Sequence, residues 1–457
     1  MPSPPRLADL QRIHIVGIGG AGMSALASLL MGNGKVVSGS DLKSSSVLER
    51  LRLLGAKVSV GHSAANVGET DAVVYSTAIP QGNVELQAAR ERGILTLSRA
   101  DLLVAVAEGR RVAAISGTHG KTTTTSMLAL SLANAGLSPS YLIGAELNDS
   151  GASGHAGASD LLVVEADESD GTFLRLDPEI AVVTNVEADH LDYYGSFDAL
   201  QGAFRRFIGS SRLFPVVCVD DLVIAGFGLA RESCYSYGFS DSARLQVKNL
   251  VVAPHSSVFE LFLDRKRLGD LELSVLGVHN VLNATAAVGV ALQLGASFGD
   301  ISEALSRYVG VSRRFQHRRV VGGVRIVDDY AHLPSEIRAT IAAARQLGAR
   351  RIVAVFQPHR YSRTRDLWRE LGEALVGADV VVVTDVYPAG EEPVPGITGE
   401  LVVQAARELR SGETYYCPRR GELAGVVASH LREDDICLSM GAGDITTLEA
   451  ELGEVLG

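Results

Sequence analysis

The chain has 457 residues, which at about 150 residues per domain predicts three domains with cores of ordinary size. Hydrophobic residues make up 46% of the chain and charged residues 21%, which excludes collagen, a coiled coil and extended disorder. The net charge is −11 and the sequence has no basic run, so neither a nucleic acid nor an anionic membrane is expected as a partner.

Short apolar runs alternate with helix-like stretches along the chain, and runs of this length are typical of parallel strands buried on both faces. The alternation predicts an α/β fold. The runs lie at 13–16, 72–75, 112–115, 161–164, 181–183, 352–356 and 380–383.

The domain boundaries predicted from this pattern are 1–107, 108–311 and 312–457. Within the second domain, alternating apolar and polar residues between 215 and 275 predict antiparallel strands at its edge. A basic stretch at 310–323 is expected to link it to a third α/β unit that starts at Val324.

The four cysteines, at 218, 234, 417 and 437, lack metal-binding spacing and are expected to be buried thiols in a reducing cytoplasm. The N-terminus lacks the apolar core of a signal peptide, and no run of about 18 apolar residues occurs. These features predict a cytoplasmic protein that does not span a membrane.

A first glycine motif follows the first apolar run. Gly17, Gly19 and Gly22 form G-x-G-x-x-G between a strand and a helix, and Asp41 lies 19 residues beyond Gly22. Such glycines let backbone amides approach a diphosphate at a helix N-terminus, while an acid can accept a hydrogen bond from a ribose hydroxyl. The motif predicts a nucleotide-diphosphate site, with a nicotinamide cofactor as the default ligand; the alternative is a tight turn that packs a helix on a sheet.

A second glycine motif, Gly117-Thr-His-Gly-Lys-Thr, follows the run at 112–115. Its amides can form an anion nest, Lys121 can reach the β- and γ-phosphates, and Thr122 can hold Mg²⁺. Only six of the 42 basic residues are lysine, which makes Lys121 conspicuous. The motif departs from the G-x-x-x-x-G-K-T spacing because Ile115 stands where the first glycine belongs. We expect ATP or GTP binding, against a chance Gly-Lys-Thr turn.

Acidic and histidine side chains follow two further strands. Glu165 comes directly after the run at 161–164, and His190 lies in Asn185-Val-Glu-Ala-Asp-His after the run at 181–183. A carboxylate at a strand end downstream of a phosphate loop commonly anchors a metal. Because the strand ends converge on one crevice, we expect Glu165 and His190 near Lys121 rather than on unrelated solvated loops.

In combination, these motifs resemble the Mur ligases of bacterial cell-wall synthesis. The order Gly-Thr-x-Gly-Lys-Thr, Glu-Ala-Asp-Glu, Asn-x-x-x-Asp-His is similar to theirs, and the similarity continues at 277–287, 310–315 and 328–334. The first glycine motif and the segments 356–364 and 385–391 most resemble the alanine-adding branch. No lysine occurs between Lys121 and Lys248, so the carbamylated lysine that bridges metals in several members is missing, as in that branch.

The resemblance implies an α/β fold with a Rossmann-like N-terminal domain for a UDP-sugar, a central P-loop domain for ATP and a Rossmann-like C-terminal domain for an amino acid. It replaces the nicotinamide reading with UDP-N-acetylmuramate, held by Gly19, Gly20, Ala21, Gly22, Asp41, His62 and Ser76. ATP contacts are implied for Gly117, Thr118, His119, Gly120, Lys121, Thr122, Thr123, Asn280, Asn283, Arg314 and Asp329. L-alanine contacts are implied for Tyr330, His359, Arg360 and Arg363.

The implied reaction is ATP-dependent joining of L-alanine to the lactyl carboxylate of UDP-N-acetylmuramate through an acyl phosphate, with ADP and phosphate as products, in peptidoglycan precursor synthesis. The implied metal is Mg²⁺, with Mn²⁺ as the alternative, held by Thr122, Glu165 and His190. The expected catalytic residues are Lys121, Glu165, His190, His332 and Arg314, with His332, Tyr330 and His359 as candidates to orient or deprotonate the amine. The expected oligomeric state is a monomer or weak homodimer.

Three other functions are compatible with these motifs to different degrees. A related ligase could attach a whole tripeptide to the same UDP-sugar during wall recycling. A nucleotide-binding regulator without ligase activity is disfavoured because it need not keep Lys121, Glu165 and His190 together. An oxidoreductase that uses NAD at the first glycine motif would have no use for a P-loop.

Overall fold

The computed structural model describes residues 6–409 and 412–456, which form two compact units. The first comprises the chain up to Leu250 with Phe259–Glu272 and Leu282–Val309; the second comprises Val251–Val258, Leu273–Val281 and the chain from Gly310 onward. Three sheets with flanking helices make up the described residues, which confirms the α/β fold of three Rossmann-like or P-loop parts. No described helix is both long and apolar enough to cross a membrane.

The N-terminal sheet has five parallel strands in the order β3-β2-β1-β4-β5. Its strands are β1 (Arg12–Val16), β2 (Val36–Asp41), β3 (Lys57–Val60), β4 (Ala72–Tyr75) and β5 (Leu95–Ser98), and its helices are α1 (Ala21–Gly32), α2 (Ser46–Leu53), α3 (Val84–Glu91) and α4 (Arg99–Ala107). The strand order reverses between β1 and β4, and this is where ligands bind in open α/β sheets.

The central sheet has the order β15-β14-β13-β12-β11-β10-β6-β9-β7-β8. Its strands are β6 (Arg111–Ser116), β7 (Ser140–Leu142), β8 (Gly154–His155), β9 (Leu161–Glu165), β10 (Ile180–Val183), β11 (Val216–Cys218), β12 (Tyr235–Gly238), β13 (Leu245–Val252), β14 (Ser257–Leu263) and β15 (Lys266–Leu273). The helices of this region are α5 (Lys121–Asn134), α6 (Leu191–Tyr194), α7 (Phe197–Gly209), α8 (Leu222–Ala225), α9 (Val278–Gln293) and α10 (Phe298–Ser306).

The C-terminal sheet has the order β16-β17-β21-β18-β19-β20 and is parallel except for β16. Its strands are β16 (Gln316–Val321), β17 (Val324–Asp329), β18 (Ile352–Phe356), β19 (Val380–Thr384), β20 (Glu413–Cys417) and β21 (Ile436–Met440). Its helices are α11 (Pro334–Gln346), α12 (Tyr361–Leu375), α13 (Gly399–Leu409), α14 (Leu423–His430) and α15 (Leu448–Leu456). Short 3-10 turns lie at Leu7–Asp9, Ala64–Val67, Thr172–Arg175, Arg231–Ser233, Arg420–Glu422 and Asp444–Thr447.

Burial on both faces of the sheet explains why the strand sequences are continuous apolar runs. Consecutive side chains of a strand point to opposite faces, and helices cover both faces of the C-terminal sheet. One face packs Val327, Ala354, Val381 and Leu438, and the other packs their chain neighbours Ile326, Val353, Val382 and Cys437. All seven predicted runs are strands.

Two expectations need correction. The region 215–275 does form strands, but β12 and β13 pair in parallel, not antiparallel. The links from β13 to β14 and from β14 to β15 span only residues 253–256 and 264–265, which permits antiparallel neighbours alone. The basic stretch is more than a linker, because its second half forms β16, where Arg318 donates to the buried Asp328 at 2.8 Å. The domain boundaries near 107 and 311, which follow α4 and α10, stay predictions.

Candidate active site

The phosphate loop, residues 117–120, connects β6 to α5. Gly117 and Gly120 have φ of 131° and 81°, a region that side chains disfavour. A Cβ on Gly117 would lie 2.1 Å from Thr184 Oγ1, and one on Gly120 would lie 2.3 Å from Asn283 Oδ1. Glycine is therefore required at both positions by conformation and by space.

Asn185 holds the middle of the phosphate loop. Its carbonyl accepts from the Thr118 amide at 3.1 Å, and its side-chain oxygen accepts from the His119 amide at 2.8 Å. These two amides are thus already used within the protein. The first-turn amides of α5, from Lys121 onward, have no helical acceptor one turn earlier, so they are the groups that can meet an anion.

Lys121 opens α5 with its ammonium group folded back over the loop. Nζ donates to the Gly117 carbonyl at 2.6 Å and to Glu168 Oε1 at 2.8 Å. Although burial disfavours the charge, the neighbouring carboxylates, above all Glu168, raise the pKa of Lys121. The lysine is therefore charged, and its ammonium group is held against the backbone of the phosphate loop.

Glu168 is a site residue that the sequence analysis missed. It is 2% exposed, and burial raises its pKa to about 7 even though Lys121 acts in the opposite direction. His190 Nε2 lies 3.9 Å from its Oε1. The available signal was the second glutamate of Glu165-Ala-Asp-Glu168, three residues beyond the strand end.

Glu165, the last residue of β9, contacts Thr122 in the first turn of α5. Its Oε2 accepts from Thr122 Oγ1 at 3.0 Å and from the Gly144 amide at 2.8 Å. His190, in a left-handed conformation with φ of 55°, instead has its Nε2 3.3 Å from Asp189 Oδ2. The structure thus gathers the predicted residues around the phosphate loop but divides them into a Thr122–Glu165 pair and a Lys121–Glu168–His190 group.

The side chains around the phosphate loop offer oxygen ligands of the kind that magnesium binds. Hydroxyl and carboxylate oxygens, here of Thr122, Glu165 and Glu168, are the ligands that Mg²⁺ prefers, and substrate phosphates usually complete its shell. Within the described residues no group of three or more His, Cys, Asp or Glu side chains forms a metal cage by itself. The residues therefore fit a metal that is shared with a bound phosphate.

The first glycine loop, residues 17–20, connects β1 to α1. The Gly17 and Ile18 amides donate to the Ser40 carbonyl, and the Gly19 amide donates to Asp41 Oδ2 at 3.0 Å. Asp41, predicted to contact the nucleotide, thus lies directly under the loop. Gly20 and Ala21 form the junction with α1, whose first-turn amides face the switch point.

Arg99 brings a cation to the start of α1, which sequence reasoning did not find. A Cβ on Gly22 would lie 3.1 Å from Arg99 Nη1, while Nη2 is 3.2 Å from Asp167 Oδ2. Burial would raise the pKa of Asp167, but Lys121 and Arg99 lower it to about 2. Arg99 therefore links the first glycine loop to the acidic segment beside the phosphate loop.

His62 and Ser76, the other predicted UDP-sugar contacts, follow the carboxyl ends of β3 and β4, which are separated in the sheet by β2 and β1. Ser76 follows β4, and its backbone carbonyl accepts from the Ile79 amide at 3.1 Å. A Cβ on Gly17 would lie 3.1 Å from Ile79 Cδ1. His62 follows β3, with Nδ1 2.9 Å from Ser40 Oγ. Both therefore lie at the carboxyl ends of strands, the end of an open α/β sheet at which ligands generally bind.

In the C-terminal unit, Tyr330 and His332 follow β17. Tyr330 lies under the guanidinium groups of Arg313 and Arg314, 4.8 and 5.3 Å from the ring centre. His332 Nδ1 lies 3.0 Å from the Tyr330 carbonyl and 3.1 Å from Glu336 Oε2. Because a carbonyl only accepts, neutral His332 carries its proton on Nδ1 and its lone pair on Nε2.

His359, Arg360 and Arg363 follow β18. Arg363 Nη1 donates to His359 Nδ1 at 3.2 Å, so the proton of neutral His359 is on Nε2. Burial, reinforced by His332 and the arginines, lowers the pKa of His359 to about 3. Tyr387, which the sequence analysis did not assign, stacks on His359 with ring centres 5.7 Å apart.

Arg360 has two features of a strained binding residue. Its φ is 71°, and its buried Nε makes no hydrogen bond within the described part of the chain. Such strain and such orphaned donors are concentrated at ligand sites. The backbone is held by the Arg360 amide, which donates to the Tyr387 carbonyl at 2.8 Å.

The remaining predicted ATP contacts serve local structure in the chain as it stands. Asp329 accepts from the Phe315 and Ala331 amides at 2.7 Å each, and burial raises its pKa to about 6. Arg314 Nη1 is 3.4 Å from Glu336 Oε1. Asn283 supports Gly120 and Thr124, and Asn280 donates to the Leu276 carbonyl. Their contacts with ATP stay predictions.

Comparison with known proteins covers nearly the whole chain. Three family models match in succession: Mur ligase family, catalytic domain, over residues 12–111; Mur ligase middle domain over 115–291; and Mur ligase, glutamate ligase domain, over 313–443. The UDP-N-acetylmuramate–L-alanine ligase of Solidesulfovibrio magneticus is 44% identical over 440 residues, 95% of this chain and 96% of that protein.

Solved structures agree with this similarity. The UDP-N-acetylmuramate–alanine ligase of Thermotoga maritima matches with a TM-score of 0.82 and 30% identity, over 98% of this chain and 99% of that one. The murein peptide ligase of Psychrobacter arcticus matches with a TM-score of 0.72 and 24% identity, over 98% of this chain and 100% of that one. The second likeness concerns the fold alone.

Proposed function

The chain belongs to the Mur ligase family, and we propose that it joins L-alanine to the lactyl carboxylate of UDP-N-acetylmuramate with cleavage of ATP to ADP and phosphate. The observation that carries this proposal is the 44% identity to a ligase of that name over 95% of the chain. The geometry adds a phosphate loop with a positioned lysine, and a cluster of arginine and histidine whose guanidinium groups could bind an amino-acid carboxylate.

The first step brings two anions together. A lactyl carboxylate oxygen attacks the γ-phosphorus, the bond to the ADP oxygen breaks, and an acyl phosphate forms. Lys121 and the first-turn amides of α5 would stabilise the charge on the transferring phosphoryl oxygens, as preorganised donors in a dry site do. Thr122, Glu165, Glu168 and His190 are the residues that would hold Mg²⁺, which supplies further neutralisation of phosphate charge when bound.

The second step needs a neutral amine. The alanine nitrogen attacks the acyl carbon, the carbon–oxygen bond to phosphate breaks, and the amine gives up a proton. The hydrogen-bond pattern separates the two histidines that could act here, since His332 offers a lone pair at Nε2, whereas neutral His359 offers a proton there. We assign His332 as the proton acceptor and His359 as a donor to substrate oxygen.

Arg360 is assigned to the alanine carboxylate. A planar guanidinium binds a carboxylate through paired hydrogen bonds, and the orphaned Nε of Arg360 gains a partner in this way. Arg363 holds His359, the chain neighbour of Arg360, through the hydrogen bond from Nη1 to His359 Nδ1. UDP-N-acetylmuramate is assigned to the first glycine loop with Arg99 beside its diphosphate; the cytoplasmic location and the monomer or weak homodimer stay predictions.

The test is phosphate release with UDP-N-acetylmuramate, ATP and one acceptor at a time: L-alanine, glycine, L-serine, or an alanine-containing tripeptide. L-alanine should give the largest kcat/KM and a product whose mass equals the UDP-sugar plus one alanyl residue. Turnover with the tripeptide but not with L-alanine would overturn the proposal in favour of the recycling reaction.

A further inference from the structure

A buried hydrogen-bonded network lies in the N-terminal sheet beside the first glycine loop. We call it the Glu85 network; it consists of Glu85 with His14, Ser40, His62, Ser63 and Asn66, which surround its carboxylate. Glu85 is fully buried on α3. A satisfied network of this kind inside a protein favours one arrangement of its protons.

Both oxygens of Glu85 accept hydrogen bonds. Oε1 accepts from the Ser63 amide at 3.1 Å and from Asn66 Nδ2 at 2.7 Å. Oε2 accepts from Ser40 Oγ at 2.5 Å, with His14 Nε2 and His62 Nδ1 each 3.4 Å away. Burial acts to raise the pKa of Glu85, but these donors lower it to about 2. The carboxylate is ionised and can only accept.

The ionised carboxylate determines where the proton of His62 lies. Ser40 has a single hydroxyl proton, and it uses this proton to donate a hydrogen bond to Glu85 Oε2. Toward His62 Nδ1, 2.9 Å away, Ser40 Oγ can therefore only accept. Neutral His62 then carries its proton on Nδ1 and a lone pair on Nε2.

The lone pair lies where a nucleoside is expected. The Gly61 amide donates to the Asp41 carbonyl at 2.7 Å, which places His62 next to the end of β2. In dinucleotide-binding folds, an acid near this strand end marks the ribose of a nucleotide whose diphosphate lies at the first helix. His62 Nε2 makes no hydrogen bond in the described chain, and the side chain keeps 13% exposure.

We propose that Glu85, acting through Ser40, holds His62 as a hydrogen-bond acceptor for the imide N–H of uracil. Uracil carries a proton on this nitrogen, whereas cytosine carries a lone pair there, which His62 would repel. Sites that pair a buried polar group with one ligand reject the analogue that leaves it unpaired. Glu85 is a positioning residue for base choice; the inference rests on the proposed function, which supplies a UDP-linked substrate.

Glu85→Gln should invert the network. The Ser63 amide and Asn66 can only donate at their positions, so the carbonyl of the new carboxamide must take the place of Oε1 and its NH₂ group that of Oε2. Ser40 would then accept from this NH₂ group and donate its own proton to His62 Nδ1. His62 would switch its proton to Nε2 and become a donor, which suits cytosine and not uracil.

The experiment uses the full chain with ¹⁵N-labelled histidine and measures the tautomer of His62 at pH 8, with His62→Gln to assign the resonance. UDP and CDP binding is measured by calorimetry on the wild type, on Glu85→Gln and on Ser38→Ala. Ser38 is the matched control, since it is a serine of the same strand that contacts His14 at 2.9 Å rather than His62.

We expect the wild type to carry the proton on Nδ1 and to bind UDP roughly 10- to 100-fold more tightly than CDP, the range of one unpaired buried group. Glu85→Gln should move the proton to Nε2 and remove the preference for UDP, with KM for ATP and L-alanine unchanged, and Ser38→Ala should keep it. A wild-type His62 protonated on Nε2 or on both nitrogens, or equal losses of UDP and CDP in Glu85→Gln, would overturn the inference.

If Glu85→Gln does not fold, the wild-type tautomer and the UDP-to-CDP ratio decide alone. Turnover with UDP-N-acetylmuramate, ATP and L-alanine is measured in parallel. Its absence would sink the proposed function and leave the nucleotide comparison standing. Normal turnover together with equal binding of UDP and CDP would sink the inference only.

Discussion

The first glycine loop and the phosphate loop use the same backbone device for different chemistry. Each follows a buried parallel strand, contains glycine with positive φ and opens a helix. In each, middle amides are already used: Gly19 donates to Asp41, and His119 donates to Asn185. The first-turn amides of the helix are left for an anion in both cases, so the backbone alone does not distinguish a binding loop from a reacting one.

The side chains around the two loops make the difference. Beside the phosphate loop, Lys121 faces the buried Glu168, whose pKa burial raises to about 7. Near the first loop, burial also acts to raise the pKa of Glu85. The hydrogen-bond donors around this carboxylate outweigh burial and lower the pKa to about 2. Glu85, which is ionised at neutral pH, fixes the positions of neighbouring protons, whereas Glu168 contacts the lysine that is proposed to bind phosphate.

Lys121→Ala should have the largest effect, since it removes the cation that distinguishes the phosphate loop. We expect alanine-dependent phosphate release to fall at least 100-fold, or roughly 3 kcal/mol in transition-state stabilisation. Lys266→Ala, at the exposed start of β15, is the control and should stay near normal. Near-normal turnover of Lys121→Ala would sink the assigned phosphate role.

Glu168→Gln compares the acid that sequence reasoning missed with the one it selected. Because Glu168 contacts Lys121 and lies near His190, its replacement should lower kcat/KM about 100-fold, at the upper end for groups that hold a metal and its ligands. Glu165→Gln, which affects Thr122, should cost about 10-fold. Steady-state rates over a magnesium titration measure both, and the reverse order would show that Glu165 is the principal anchor.

Arg99→Ala should affect the first loop and not the second. Arg99 lies beside Gly22, so we expect KM for the UDP-sugar to rise about tenfold, as for a lost charge-assisted hydrogen bond, with KM for ATP unchanged. Arg175→Ala is the matched control, because Arg175 pairs with Asp101 of α4, the helix that Arg99 begins. A rise in KM for ATP alone would contradict the assignment of Arg99 to the UDP-sugar.

Glu85 should give the smallest effect, measured in stability. Its pKa is lower in the folded chain, about 2, than the 4.5 of an ordinary glutamate, so its stabilisation is present at neutral pH and is lost as pH falls through this interval. Between pH 7 and 4 the loss from this group is about 1 kcal/mol. Urea unfolding of wild type and Glu85→Gln at both pH values measures it; an equal pH dependence of the two would argue against an ionised Glu85.

Most of the fold could be predicted from local patterns. The apolar runs marked the strands because residues buried on both faces leave a continuous signature, and the glycine motifs marked the two loops. The strand pairing of β12 with β13 could not be predicted, because alternation reports one covered face but not the direction of the neighbour. The sequence did not predict β16, because its arginines interrupt the apolar pattern of a strand. These arginines pair with acids such as Asp328, which only the folded chain brings close to them.

The candidate site was predictable where a residue adjoins a motif. Lys121, Thr122, Glu165 and His190 follow strands whose ends converge, and the structure gathers them. The sequence did not predict the roles of Glu168, Arg99 and Tyr387, because these roles depend on contacts between segments that are distant along the chain. The different roles proposed for His332 and His359 likewise depend on which ring nitrogen carries the proton, and no sequence pattern reports that.

The phosphate loop is proposed to activate a carboxylate of the UDP-sugar as an acyl phosphate, and every other assignment depends on this step. The most direct test uses UDP-N-acetylmuramate with ¹⁸O at both oxygens of the lactyl carboxylate, ATP and L-alanine, followed by mass analysis of the released phosphate. We predict one ¹⁸O atom in each phosphate, in step with amide formation. Phosphate that carries no label, with oxygen from water instead, would mean that ATP is merely hydrolysed and would contradict the acyl phosphate.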